Sequence, residues 1–203
     1  MIDVCEDSWQ MDVVLLQNWL ANNTTTEFVN EKPITTEITS GKKIGAIMPV
    51  YVLGRFINVD KLVEISATYG IPLIEDSTEA LGSFKNGKHA GTFGLTGVLS
   101  FNGNKIISTG GGGMILTNDK DIANRAKHIT TTAKTDPLDY FHDEVGYNYR
   151  LVNVLAAIGV AQMEQFPKIL QKKKLLDLIY REELGSLEGI IFQEHIKESD
   201  PNC

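Results

Sequence analysis

The stretch Leu99–Ile115 reads L-S-F-N-G-N-K-I-I-S-T-G-G-G-G-M-I, and the rest of the chain arranges itself around it. The apolar, β-prone run from Gly97 to Phe101 predicts a strand that ends at a small polar turn. Lys105 lies in that turn, the four glycines Gly110 to Gly113 follow, and a second short apolar run leads away. Twenty-nine positions upstream (105 − 76), another apolar run, Ile71 to Glu75, ends at Asp76. Before it, Ile44 to Val50 has the composition of a buried strand. Val59 to Tyr69 is spaced as an amphipathic helix with Leu62, Val63, Ile65 and Ala67 facing inward. Asn58 or Asp60 caps its start and Gly70 ends it. This strand–helix–strand rhythm predicts parallel strands joined by right-handed crossovers. Ligands of open parallel sheets bind beyond the carboxyl ends of the strands, where Asp76 and Ser100 both fall.

The residue types at these ends suggest a chemistry. A lysine whose stem is held by apolar neighbours presents an amine that is nucleophilic toward carbonyls when desolvated. A lysine for a Schiff base and an aspartate for a pyridinium nitrogen are a protein's two main electronic handles on pyridoxal phosphate. Each piece alone is weak, because surface lysines and strand-end aspartates are common. Order and spacing carry the signal. The glycines form neither a G-x-G-x-x-G nor a G-x-x-x-x-G-K-[ST] pattern, so a dinucleotide or P-loop reading has little support.

The segment S-F-N-G-N-K-I-I-S-T-G-G-G-G, preceded by I-E-D-S-T-E-A-L-G-S and followed by V-G-Y-N-Y-R, closely resembles the DegT-type sugar aminotransferases. These are fold-type I pyridoxal-phosphate enzymes that act on nucleotide-linked keto sugars, and the wording is most similar to the legionaminic-acid and perosamine branch. The likeness runs from about Ile2 to about Leu184. It implies an α/β three-layer sandwich with a mostly parallel sheet, of the aspartate-aminotransferase-like kind. Residues 1–166 would form a partial large domain and 167–203 the start of a small C-terminal one. By the same resemblance Lys105 bonds the cofactor covalently and shuttles the proton, and Asp76 pairs with the ring nitrogen. Glu79 contacts the ring's hydroxyl side, where many relatives have Gln. Ser100 binds the phosphate, and Asn102 stands where many relatives carry His. Asn148, in G-Y-N-Y-R, reaches the phosphate of a partner subunit, which implies a homodimer with shared sites. Arg150 is equally readable as a phosphate contact or a structural ion pair. A lysine at position 105, rather than the histidine of dehydrating relatives, favours amino transfer. The resemblance points to a nucleotide-linked 4-keto-6-deoxy sugar as substrate, glutamate as donor and surface-glycan synthesis as purpose. Relatives carry a further N-terminal phosphate cradle and a complete small domain, so the chain reads as the middle of such an enzyme. A catalytically inactive binding or dimerisation module is the competing reading.

The 203 residues, 42% of them hydrophobic, suffice for one domain with a substantial core. A net charge of −7 argues against general nucleic-acid binding. Cys5 and Cys203 form no C-x-x-C pair, which argues against a disulfide scaffold or a metal site. The acidic N-terminus does not read as a signal peptide, and no apolar run approaches the roughly 20 residues of a membrane helix. A soluble cytoplasmic protein is expected. Elsewhere, Asp12 caps a helix over 13–20, and 21–43 reads as a loose insertion with a hairpin around Lys32–Pro33 and Ser40–Gly41. Asp119 caps a helix through Ala133, and Leu151 to Phe166 reads as a helix that Pro167 restarts to Leu184. Residues 197–203 read as frayed. His128 shows no motif partner, and His89 and His142 read as loop histidines.

Overall fold

The computed structural model of the chain describes residues 1–136 and 138–202; Cys203, and with it the expected absence of a pair with Cys5, lies outside them. In chain order the elements are α1 (Val13–Asn23), β1 (Thr24–Val29), β2 (Lys32–Glu37), α2 (Val59–Tyr69), β3 (Ile74–Asp76) and β4 (Phe84–Lys85). There follow β5 (Lys88–His89), β6 (Thr96–Ser100), β7 (Gly113–Leu116), α3 (Lys120–Thr130), α4 (Asn153–Leu184) and β8 (Ser199–Asp200). A 3-10 turn spans Val52–Gly54.

The sheet that carries the site has β6 at its centre. β3 lies parallel to β6, with Glu75 opposite Gly97 and Asp76 opposite Val98. β7 returns antiparallel on its other side. Along the free edge of β3 runs the segment 47–50, parallel and joined at Ile47–Leu73 and Val50–Asp76. The parallel rhythm is therefore present, with one antiparallel strand added. The expected buried strand over 44–50 is reduced to these bridges, and only Ile47 and Pro49 within it are buried. At its start it also meets β2, where Ile44 N–H donates to the Thr35 carbonyl at 3.0 Å. The next strand starts at Ile74 rather than Ile71, since Pro72 has no N–H to give and contributes only its carbonyl, to Ile47 N–H at 2.9 Å.

Side chains alternate across the sheet. Leu73, Glu75, Gly97 and Leu99 are buried, while Ile74, Asp76 and Val98 on the other face are only half-buried. One core gathers α1, the 47–57 segment, α2, Ile71 and Leu73. A second joins Leu99, Phe101 and Ile107 to Phe166 and Ile169 of α4.

Local chemistry explains most element ends. Asp12 accepts from Leu15 N–H at 2.9 Å and Asn58 from Lys61 N–H at 3.3 Å, two N-caps of the ordinary kind. Gly70 closes α2 at φ 60°, and a Cβ there would lie 2.0 Å from the Pro33 carbonyl oxygen. The inward stripe of α2 is Val59, Leu62 and Ile65; Val63 and Ala67 are exposed, because a rotation of about 100° per residue carries them off that stripe. The stretch expected to be loose is instead a regular hairpin. Its turn is Asn30–Glu31, both at positive φ, and Lys32–Pro33 belong to β2. α3 stops at Thr130, short of Ala133, because the backbone turns left-handed at Thr132 and Ala133.

Two further expectations change. α4 does not restart at Pro167 but runs through it, so a division at 166/167 falls within one helix. The C-terminal residues are not frayed: β8 pairs with β4, and Asn202 is fully buried. Asn202 donates to the carbonyls of Glu79 (2.7 Å) and Leu81 (2.9 Å), contacts that lie more than a hundred residues away in sequence.

Candidate functional site

Three chain segments end together at the carboxyl edge of the parallel strands; β6 and β3 contribute side chains, and the 47–54 segment a backbone N–H. β6 runs out through Ser100 into a loop that doubles back to β7. The loop is held by Lys105 N–H to the Asn102 carbonyl at 3.0 Å and Thr109 N–H to the Phe101 carbonyl at 2.9 Å. Ile107, 2% exposed, anchors it in the second core. Lys105 is thereby presented from a pinned loop, with its side chain 16% exposed.

β3 ends at Asp76, which is fixed by its neighbours. Its N–H donates to the Pro49 carbonyl and its carbonyl accepts from Tyr51 N–H, each at 2.9 Å. Its Oδ1 accepts from Thr78 N–H at 3.2 Å. One turn later, Glu79 faces Lys105, with Oε1 3.4 Å from Nζ. The other oxygen of Glu79 accepts from Leu53 N–H at 2.8 Å, in the turn that follows the 47–50 segment. The Glu79 side chain is 39% exposed, so the ion pair is worth about 0–1 kcal/mol at most. Its importance is placement: an amine and a carboxylate from distant parts of the sequence share one location.

The expected site residues thus divide. Asp76, Glu79, Ser100, Asn102 and Lys105 lie on adjoining segments, and Asn102 N–H donates to Ser100 Oγ at 3.3 Å. Asn148 is exposed and pairs with Thr131 beyond α3, in the aromatic segment where Tyr147 and Tyr149 stack at 5.2 Å. Arg150 is exposed as well.

His128 lies half-buried in α3, as expected, and gains acidic neighbours that its sequence context did not show, whereas His89 departs from expectation. The Nε2 of His128 contacts Asp143 at 2.7 Å and Glu144 at 3.4 Å. Arg125 in turn holds both oxygens of Glu144. His89 is no loop residue but part of β5, with both ring nitrogens engaged. Sequence reasoning also passed over Glu75 and Tyr51, which are fully buried and hydrogen-bonded to each other behind the site. The available signal was a carboxylate inside an otherwise apolar strand, I-P-L-I-E-D.

The chain matches the DegT/DnrJ/EryC1/StrS aminotransferase family over residues 1–202, and it belongs to that family. It is 36% identical over 191 residues to the putative pyridoxal phosphate-dependent aminotransferase EpsN of Bacillus subtilis (strain 168), covering 94% of this chain and 46% of that protein. It is 36% identical over 186 residues to the GDP-perosamine synthase of Escherichia coli O157:H7, covering 92% of this chain and 46% of the relative. The chain thus spans about half the length of these curated relatives. Among solved structures, a DegT DnrJ EryC1 StrS aminotransferase from Brucella abortus superposes with a TM-score of 0.83 at 22% identity, over 100% of this chain and 50% of that one. This structural likeness establishes the fold, of which the chain holds a part.

Proposed function

We propose that this chain is the lysine-bearing part of a pyridoxal-phosphate-dependent aminotransferase that places an amine on a nucleotide-linked 4-keto-6-deoxy sugar, with glutamate as donor, in surface-glycan synthesis. One observation carries the reading. Lys105 is held on a pinned loop with its Nζ against Glu79, one turn beyond Asp76 on the neighbouring parallel strand. The residues present suit the ring end of the cofactor, being an amine with carboxylates on the adjoining strand end. Gly103, two positions before Lys105, leaves open space where a Cβ would meet nothing within 4 Å.

Pyridoxal phosphate, when bound, supplies an electron sink through which an amino group passes between two carbon skeletons. The chain's residues divide the remaining work. Lys105 would hold the cofactor through Nζ, and its amine would hold and move the proton that transamination exchanges. A carboxylate at Asp76 keeps a ring-nitrogen proton in place by a charge-assisted hydrogen bond. Glu79, oriented by Leu53 N–H and facing Lys105, would contact the hydroxyl side of the ring. Ser100 and Asn102 offer hydrogen bonds to the phosphate. Asn148 serves the site of a second copy, which fits its exposure between the exposed, stacked rings of Tyr147 and Tyr149. In this reading 1–166 is the cofactor-bearing region and 167–203 opens the second domain.

Adding pyridoxal phosphate to the purified chain tests the reading. A visible absorbance band is expected, and borohydride reduction followed by peptide mass mapping should fix the cofactor's mass on Lys105. The Lys105→Ala chain should show neither the band nor the label. A colourless, unlabelled native chain would favour the binding-module reading instead.

A further inference from the structure

We propose that Glu75 is a positioning residue for this site, a buried carboxylate that ties together the strand end presenting Asp76 and Glu79, the 51–54 turn that holds Glu79, and the 91–94 turn that leads into the strand carrying the Lys105 loop. What the site holds rests on the pyridoxal-phosphate reading above; the tie itself does not. Glu75 is fully buried in β3. Its Oε2 accepts from the Tyr51 hydroxyl and from Gly91 N–H at 2.9 Å. Its Oε1 accepts from the N–H groups of Phe93 and Gly94, each at 2.6 Å. Four donors on two oxygens use the acceptor positions of a carboxylate fully.

Those donors come from both sides of β3. Tyr51 ends the 47–50 line and begins the turn whose Leu53 N–H holds Glu79. The Gly91–Gly94 turn leads directly into β6, and β6 into the Lys105 loop. Alternation along the strand sends Glu75 to the buried face and Asp76 to the half-open one. The carboxylate therefore grips the back of the same strand end whose front carries the site.

The turn lies too close to the sheet to be held by side-chain packing. A Cβ at Gly97 would sit 2.1 Å from the Gly91 carbonyl oxygen, and one at Gly94 would sit 2.4 Å from that of Leu73. Hydrogen bonds must locate it instead, and Glu75 accepts three of them. A buried charge is costly unless it is hydrogen-bonded, and at this point of an apolar strand an apolar side chain would serve simple burial. What the carboxylate adds is direction, through four fixed donors.

The test uses the full chain with Glu75→Gln, which keeps the volume but replaces an acceptor by a donor. Leu62→Ala, in α2 of the core that also holds Tyr51 but with no hydrogen bond to Glu75, serves as a destabilised control. Hydrogen–deuterium exchange is read without cofactor, and pyridoxal-phosphate affinity by absorbance titration, both below the melting transitions of the variants. Glu75→Gln should raise amide exchange about tenfold in 50–54, 76–81 and 90–95 together, and weaken the affinity about tenfold. Leu62→Ala should leave the exchange of those three segments and the affinity within about twofold of native. Native-level exchange in any of the three segments of folded Glu75→Gln overturns the proposal, as does an equal affinity loss in the control. If the native chain takes up no pyridoxal phosphate, the functional reading fails and the exchange pattern alone decides the tie. If Glu75→Gln does not fold, Tyr51→Phe removes one donor and is judged by the same pattern, with faster exchange expected in 50–54 and 76–81.

Discussion

At the scale of single residues, His89 shows how a side chain without a motif acquires a role. Its Nε2 accepts from Gly82 N–H at 2.9 Å and its Nδ1 donates to the Ala90 carbonyl. That arrangement requires the neutral ring, because a protonated Nε2 has no lone pair for Gly82. Burial pushes the imidazole's pKa below its ordinary 6.5, against the opposing pull of the Ala90 carbonyl and Glu75. The unfolded chain then takes up the proton first. The stability His89 contributes is complete above about pH 6.5 and is lost as pH falls below that value toward the folded pKa. His195 is shifted in the same direction, chiefly by burial. Urea midpoints should therefore fall between about pH 7.5 and 5.5, and the fall should be smaller in His89→Gln; an identical fall in both chains would refute the assignment. Lys105 and Asp76 were legible as candidates because a lysine and a carboxylate near strand ends are visible in one dimension, and Glu79 through the family resemblance. Glu75 and His89 were not, since their partners come from other strands and turns.

At the scale of elements, boundaries followed local chemistry closely wherever a cap was present. The Asn58 cap and the Gly70 stop enclose α2 as expected. Termini without such signals shifted, as in the segment 44–50 and the turn of the β1–β2 hairpin. α4 is the clearest departure. Proline removes one helical hydrogen bond and crowds the preceding turn, at a cost of about 3 kcal/mol in a helix interior. The helix nevertheless continues through Pro167, flanked by Phe166 and Ile169, which pack on Leu99, Phe101 and Ile107. Tertiary burial on both sides of the break outweighs the local penalty. Pro167→Ala is expected to raise the melting temperature, by an amount equivalent to about 1–3 kcal/mol. A lowered Tm would mean that the proline sets the line along which α4 meets the sheet.

At the scale of the whole molecule, residues 199–202 tie distant segments together. The C-terminal residues close the structure: Asn202 N–H donates to Ser83 Oγ at 2.9 Å, and its side chain caps two carbonyls of the turn bearing Glu79. Lys173 of α4 donates to its Oδ1 at 3.1 Å. Asn202→Ala leaves buried polar groups without partners and should lower stability by about 2–3 kcal/mol, read as a lower urea midpoint at unchanged slope. A change under about 0.5 kcal/mol would show that this end is dispensable. Among the described residues no helix is long and apolar enough to cross a membrane.

The sequence alone determined the order of α1, α2, β3, β6, α3 and the helical stretch of α4, the N-caps of α1, α2 and α3, the family, the aspartate that ends β3 and the lysine in the loop after β6. These are local matters: hydrogen-bonding groups within a few residues, hydrophobic period, and the conformational freedom of glycine. Only the tertiary structure decided that Lys105 faces Glu79, that Glu75 gathers donors from both sides of its strand, that α4 survives its proline, and that Asn202 is a buried pin. Each depends on segments that meet across tens of residues or more, where packing and the pairing of buried polar groups outweigh local preference.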